Sequence, residues 1–336
     1  MSYNDLSEAA LVIDHGSGTS KVGFAGDDEP RAVFPTVTAS PKSQDSSNQK
    51  GCYVGDDVPG KRDMVYIRYP IEHGIITRWD EMERIWHHIF HNVLCKDPEE
   101  RPVLLTEPPF NPKINREKMT QVMFETFNTP ALCVSIQSIL SLYASGRTTG
   151  VVCDSAHGIS NILPVYDGHG LIYKSRKFEI AGGELTDYLR RALNERGYNF
   201  TGRSIPETDI VRSIKEKLCY VAVDYQKDMD ESSSNISSFE ELYELPGGEV
   251  ITVGKERFMC PEVLFQPSID SFTDRMLKEV KYLAPTSANI SITSGRKHSA
   301  WIGGSMLARL STFLPRCISK DEYDEYGPSI VHKKCY

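Results

Sequence analysis

The chain has 336 residues with 38 Lys and Arg against 46 Asp and Glu, a formal net charge of −8, and is 40% hydrophobic. That describes a globular chain long enough for two lobes, and its negative balance argues against a general nucleic-acid or membrane-surface role. No apolar run is long enough to span a bilayer, no basic start with an apolar core marks a signal peptide, and the eight scattered cysteines form no C-x-x-C pair, a usage expected of reduced cytosolic thiols and not of a disulfide frame or zinc site.

The first strong signal is Leu11-Val12-Ile13-Asp14-His15-Gly16-Ser17-Gly18-Thr19-Ser20-Lys21-Val22-Gly23. An apolar run ends in Asp, a Gly-Ser-Gly corner follows, and small residues then alternate with apolar ones. This reads as strand, tight turn and return strand. Gly16 and Gly18 allow positive φ and let the backbone come close to a ligand. Successive N–H groups in such a corner make an anion cradle, and Lys21 adds a point charge suited to phosphate. Asp14, at the strand end, is placed to hold a hydrated Mg²⁺. An ordinary Gly-rich hairpin explains the same letters, because short glycine motifs match by chance.

Residues 31–69 read as strand-like and loop-rich, with a polar, Ser-rich, mobile middle at 39–51. Residues 69–77 read as a turn and short strand, with Thr77 capping the next helix and Asp80 as its reciprocal partner. Trp79, Met82, Ile85, Trp86, Ile89, Phe90 and Val93 recur at helical spacing as a core-facing stripe. His87 and His91 on that helix have i,i+4 spacing but no acidic partner nearby, so they and His88 read as structural. Residues 102–107 form a buried strand. Residues 115–127 and 135–144 read as helices, the second carrying Gln137 at its start and ended by Gly146.

The opening motif then has an echo, Val151-Val152-Cys153-Asp154-Ser155-Ala156-His157-Gly158-Ile159-Ser160. Two similar hairpins far apart suggest two related halves facing one site, an arrangement that would grip ATP from both sides. The hairpin 151–166 turns at Asp167-Gly168. A helix over 185–195 stops at Gly197, and Ser204 caps the next with Glu207 as box partner. The Ser-rich run 231–238 reads as a loop, followed by short strands around 250–253 and Phe258. Residues 268–283 read as one helix ending at Pro285, and Trp301-Ile302-Gly303-Gly304-Ser305 precedes the last long helix. Strands and helices alternate, so the class is α/β. No P-loop is present, and Gly16-x-Gly18 and Gly168-x-Gly170 lack the third glycine of a dinucleotide fingerprint. No Ser-His-Asp or Cys-His constellation can be assigned from spacing.

Longer runs carry a resemblance. Residues 24–35, 69–77, 86–88, 115–121, 140–149, 215–222, 301–305 and 327–335 resemble the actin family over nearly the whole chain. The resemblance implies a two-lobed fold of the actin, hexokinase and heat-shock ATPase superfamily, with four subdomains, one of them truncated. They would be 1–34, 70–144 and 299–336 (subdomain 1), 35–69 (subdomain 2), 145–180 with 268–298 (the truncated subdomain 3), and 181–267 (subdomain 4). It implies ATP or ADP with Mg²⁺ or Ca²⁺ in a central cleft. Ser17, Gly18, Lys21 and Gly158 would hold phosphate, and Asp14, Gln137 and Asp154 would surround the cation and attacking water. Gly182, Lys215, Glu216 and Lys297 would lie around the nucleoside. His73 matches the histidine methylated in many actins, and Tyr143, Gly146, Leu307 and Leu310 match the groove that receives partner helices.

The departures from the family are equally specific. The second corner reads Asp-Ser-Ala-His-Gly where actins have Asp-Ser-Gly-Asp-Gly, so His157 replaces an acid and Ala156 a glycine. Asn161 stands where actins carry a histidine that helps position water. The loop at 39–51 is shorter than the one that docks on the next filament subunit. After Phe265-Gln266-Pro267-Ser268 the chain passes almost directly to Thr273-Asp274-Arg275-Met276, without the apolar filament plug and the Ser-Gly-Gly turn that contacts adenosine. The expectation is a cytoplasmic, cytoskeletal actin-like protein with a weakened nucleotide site, slow ATPase activity if the cleft works, and doubtful self-assembly. Its partners would be actin or actin-binding proteins at the groove. A fully working filament-forming ATPase and a non-polymerising scaffold or capping subunit are the alternatives.

Overall fold

The computed structural model describes residues 8–42, 51–58, 65–201, 205–234, 236–264 and 297–335. The chain divides into two compact units, Met1–Glu179 with Gly295–Tyr336, and Ile180–Ser294. Strands and helices alternate as the sequence implies, giving an α/β fold. Among the described residues no helix is long and apolar enough to cross a membrane.

In the first unit, β1 (Leu11–His15), β2 (Thr19–Phe24) and β3 (Ala32–Pro35) form an antiparallel meander. After it come a small sheet of β4 (Thr38–Pro41), β5 (Tyr53–Val54) and β6 (Val65–Arg68) and a hairpin of β7 (Ile71–Glu72) and β8 (Ile75–Ile76). Helix α1 (Trp79–His88) leads to β9 (Val103–Glu107), which pairs parallel to β1. Helix α2 (Lys113–Glu125) crosses over to β10 (Ala131–Ile136), parallel to β9, and α3 (Gln137–Ala144) follows directly. A second sheet holds β11 (Gly150–Ser155), β12 (Ser160–Tyr166), β13 (His169–Gly170) and β14 (Arg176–Phe178).

The second unit contains α4 (Gly182–Glu195), α5 (Ile205–Leu218), α6 (Tyr225–Ser234), the hairpin of β15 (Glu241–Glu244) and β16 (Val250–Val253), and α7 (Glu256–Glu262). Leu185, Leu189, Leu193, Val211, Ile214, Ile251, Val253 and Cys260 make its core. Gly197, at φ +99°, ends α4 as expected of a left-handed C-terminal residue. The chain returns to the first unit with α8 (Ser299–Ala308), α9 (Phe313–Arg316), β17 (Ile318–Ser319) antiparallel to β10, α10 (Lys320–Tyr326) and α11 (Val331–Lys334).

The central sheet is buried on both faces because β1 is apolar at every position before Asp14. Leu11 and Ile13 enter one core with Met82, Ile85, Trp86, Ile89 and Phe90 of the α1 stripe. Val12, pointing the other way, joins Leu104, Leu140, Trp301 and Phe313. The stripe runs past α1 through a widened turn in which Leu94 N–H donates to Ile89 O, five residues back, at 2.8 Å.

Several local expectations are corrected. Thr77 does not cap α1; the helix begins two residues later, Arg78 occupies the cap position, and no side chain bonds there. Ser135 and Ile136 are still strand. The Ser-rich run is helix through Ser234, because Ser232 and Ser233 donate to Met229 O and Ser234 to Asp230 O, satisfying their hydroxyls on the helix itself. Phe258 lies in α7 and is not a strand residue. Trp301 to Ser305 lie inside α8 and do not precede a helix; Gly303 faces Leu140 of α3 and Gly304 faces Val12 and Leu104 of the central sheet. Ser204, the helix at 268–283 and residues 43–50 of the polar loop lie outside the described residues.

Candidate functional site

The β1–β2 register sets Asp14 directly opposite Lys21. Lys21 Nζ donates to Asp14 Oδ2 at 2.7 Å, with Asp14 2% and Lys21 14% exposed. β9 runs beside β1, so Thr106 comes level with Asp14 and donates to Oδ1 at 2.7 Å. Gln137, the first residue of α3, sends Nε2 to the same oxygen at 2.8 Å and to His15 O at 2.8 Å. Burial alone would raise the Asp14 carboxyl. The Lys21 charge and the three donated bonds outweigh it and hold the group below its ordinary range.

His15 is buried and neutral, pushed down to about 3 by desolvation. Trp86 Nε1 donates to its Nε2 at 2.8 Å, which leaves the proton on Nδ1 to be donated to Ser20 Oγ at 2.9 Å. This lock fixes the strand that carries Asp14.

The second hairpin repeats the plan with one change of charge. The β11–β12 register sets Asn161 opposite Asp154, the place that Lys21 takes opposite Asp14. Asn161 is buried; its amide bonds Asp154 while its Oδ1 accepts from Ser138 Oγ at 2.8 Å. An amide cannot neutralise a carboxylate. Burial, and then the Asp14 charge, push the Asp154 carboxyl above its ordinary range.

The two corners abut. A Cβ on Gly158 would lie 2.4 Å from Ser17 Oγ, and one on Gly18 would lie 2.8 Å from His157 Cγ. Neither Gly18 nor Gly158 has a positive φ, so their use here is close approach and not turn geometry. His73 Nδ1 donates to Gly158 O at 2.9 Å and Gly74 N–H to Ser17 Oγ at 2.8 Å, so the loop at 73–74 touches both corners. His157 sets its ring against Gly18 where the resemblance leads one to expect an acid.

The first unit thus brings together Asp14, Ser17, Gly18, Lys21, Gln137, Asp154 and Gly158. Lys297 lies on the same unit beside His298, whose imidazole is lowered by burial and by the charges of Lys21 and Lys297. Thr106, His298 and Ser138 were not singled out from the sequence; Thr106 alone left a trace, as a hydroxyl inside an otherwise apolar strand. Gly182, Lys215 and Glu216 belong to the second unit, where Lys215 Nζ donates to Gly182 O and, at 2.8 Å, to Thr186 Oγ1. Burial lowers the Lys215 ammonium. Of the groove residues, Tyr143 is half-buried with its hydroxyl 3.4 Å from Gly168 O, and Gly146 ends α3 at φ +73°. Leu307 packs in the core with Trp301, and Leu310 is 55% exposed.

Among the described residues no three His, Cys, Asp or Glu side chains gather as a direct metal cage. His87 and His91 stack on each other at 5.7 Å; against the expectation an acid does lie nearby, Glu83 Oε1 at 4.0 Å from His87 Nε2, but no group of three ligating side chains forms there among the described residues. Two carboxylates sharing one ammonium, Lys21, with Thr106, Gln137 and Asn161 as neutral donors, keep a net negative charge that suits a hard cation holding most of its waters, such as Mg²⁺ or Ca²⁺. The family model described as Actin matches residues 6–271 and 267–336. The two matches meet where the chain was expected to lack a segment.

Proposed function

The chain belongs to the actin family, and on that premise we propose that it is a cytoplasmic, cytoskeletal actin-like protein that binds ATP or ADP with Mg²⁺ or Ca²⁺ through its paired hairpins, with weakened nucleotide affinity and weakened self-assembly. The observation that carries the reading is the register that sets an amide, Asn161, opposite Asp154 where Lys21 stands opposite Asp14, with the Asp154 carboxyl raised by burial and by the Asp14 charge. Two carboxylates close together and only one lysine between them leave a negative field that a hydrated divalent cation would relieve. Ser17, Gly18 and Lys21 would hold phosphate from one corner and Gly158 from the other. Gln137, oriented by Asp14 and the His15 carbonyl, would position the attacking water with Asp154. Turnover would be slow, because His157 and Asn161 supply neither the acid nor the histidine of ordinary actins.

The missing segment weakens the nucleoside end of the site. Gly182, Lys215, Glu216 and Lys297 remain for the nucleoside, but the turn covering the base is absent from the sequence. Stacking and burial of a base are worth about 1–3 kcal/mol, or roughly one to two decades in affinity. ATP is therefore expected to bind weakly and with little preference over GTP, and chelating divalent cations is expected to weaken binding. Titration calorimetry on monomeric protein checks both. Tight ATP binding with strong rejection of GTP would replace this reading with that of a working actin ATPase.

Self-assembly is expected to be poor, because each filament step needs many buried groups at once and the chain lacks both the plug and the full length of the 39–51 loop. Binding of actin-groove partners at Tyr143, Gly146, Leu307 and Leu310 should outlast it. Sedimentation after adding salt and Mg·ATP, with electron microscopy of the pellet, tests this; abundant regular homopolymers would contradict it.

A further inference from the structure

We propose that Cys133 and Cys317 are a cross-strand modification site, which a peroxide-class oxidant closes into a disulfide pinning β17 to β10. β10 and β17 pair antiparallel with Ala131 opposite Ser319 and Leu132 opposite Ile318. Cys317, just before β17, has extended backbone at φ −71° and ψ 152°, so the same register carried one step further sets it opposite Cys133.

The kind of pair follows from the hydrogen bonds. Lys320 N–H donates to Pro130 O at 3.1 Å, which makes 130/320 a hydrogen-bonded position. Such positions alternate along an antiparallel ladder. Hence 132/318 is bonded and 133/317 is the unbonded, closer kind, with Cα atoms about 4.5 Å apart. Disulfides need roughly 4.4–6.8 Å. The side chains also share a face: Leu132 and Ile318 enter one core, while Ala131, Cys133 and Cys317 enter the other.

The three thiols are neighbours, and the Cys317 thiol also donates to Phe313 O at 3.4 Å. Cys133 shares hydrogen bonds with both Cys317 and Cys335, and Cys335 Sγ accepts the Val134 N–H at 3.3 Å. Cys335 therefore lies beside the pair as an exchange partner. All three thiols are buried, at 6%, 0% and 5% exposure. A small uncharged peroxide is the class of oxidant that such a site admits. The Cys317 contact and burial hold the Cys133 thiol above its ordinary range, so closure is slow at neutral pH.

The chemistry balances in two steps. One sulfur attacks the peroxide, an S–O bond forms as the O–O bond breaks, and the departing hydroxide takes the thiol proton to become water. The second sulfur then attacks the resulting sulfenic acid, the S–S bond forms, the S–O bond breaks, and a second water leaves with the remaining thiol proton. Two thiols lose two electrons and one peroxide gains them. The new bond would fix the strand that runs directly into Gln137 to the segment that follows α8 and α9.

The test is to treat the native protein with hydrogen peroxide, alkylate under denaturing conditions, and map peptides by mass spectrometry before and after reduction. The expected result is equal loss of alkylation at Cys133 and Cys317, with a linked peptide pair that dithiothreitol releases. Cys335→Ser should keep that pair, and Cys317→Ala or Cys317→Ser should abolish it. The unmodified protein gives the decisive reading even if a variant fails to fold. Full alkylation of Cys133 and Cys317 after oxidation, or linkage through Cys335 alone, overturns the proposal.

Discussion

Asp14→Asn is expected to destabilise the metal-free protein by about 3–5 kcal/mol, the range for removing one partner of a buried ion pair. Lys21 is mostly buried, and the change leaves its ammonium without a counter-charge while the amide must turn its NH₂ toward either Lys21 or Thr106 and Gln137, which now donate to the two carboxylate oxygens. Asp154→Asn should act in the opposite direction. Asp154 faces an amide where Asp14 faces an ammonium, so neutralising it removes a repulsion and nothing is orphaned.

The pH dependence separates the two carboxylates. The folded-state value of Asp14 is lowered, so its contribution is complete above the unfolded value of about 3.9 and is lost as pH falls through the folded value. The folded-state value of Asp154 is raised. Its penalty is absent at low pH, enters as pH rises through the unfolded value, and is complete above the folded one. Urea denaturation in a chelator should therefore find Asp154→Asn more stable than the parent at pH 7, with the gain gone in acid. The same variant should lose most of the stabilisation that Mg²⁺ or Ca²⁺ gives the parent. A variant destabilised at pH 7, with cation response intact, would mean that Asp154 is not the uncompensated charge of the site.

Gly303→Ala should have a comparably large effect for a purely steric reason. A Cβ at Gly303 would lie 1.8 Å from Leu140 O and 2.5 Å from Leu140 C. Both are backbone atoms of α3, so no side chain can rotate away. α8 must lift off α3, and with it Trp301, whose Nε1 donates to Val12 O at 3.0 Å, and Ser305, which donates to Asp27 O at 2.8 Å. Overpacking usually costs 1–3 kcal/mol; a backbone collision on this scale should cost about 3 kcal/mol or more. Because α3 begins at Gln137, cation binding should fall with stability. Gly146→Ala is the control: a Cβ there meets nothing within 4 Å, though φ is +73°, so only a left-handed penalty of about 1–2 kcal/mol applies. A Gly303→Ala loss below that of Gly146→Ala would contradict the α3–α8 contact.

The two hairpins were legible because a strand ending in Asp, a small-residue corner and a return strand are all local signals. Even so, letters alone did not reveal that Lys21 and Asn161 hold equivalent register positions. The α1 stripe was legible for the same reason of short-range periodicity. Trp301-Ile302-Gly303-Gly304-Ser305 was misread because paired glycines mark breaks in isolated chains, whereas here Gly303 admits the Leu140 backbone and Gly304 the side chains of Val12 and Leu104. The serines before Asn235 were misread because their hydroxyls are satisfied within α6 and not by a turn. Thr106 and the Cys133–Cys317 pair stayed hidden because strands distant in sequence bring them to their partners, and nothing near them in the chain encodes that pairing.

The chain has three tryptophans, and two of them are tied by their indole N–H to β1, Trp86 at the side chain of His15 and Trp301 at the carbonyl of Val12. Both are fully buried, and the strand they grip from opposite faces is the one that ends at Asp14. Their emission is therefore a built-in optical gauge of that strand. If a ligand entering the proposed site moved β1, the hydrogen bonding of two fluorophores would change at once, and occupancy of the hairpins could be followed in unlabelled protein by the position and polarisation of its ultraviolet fluorescence.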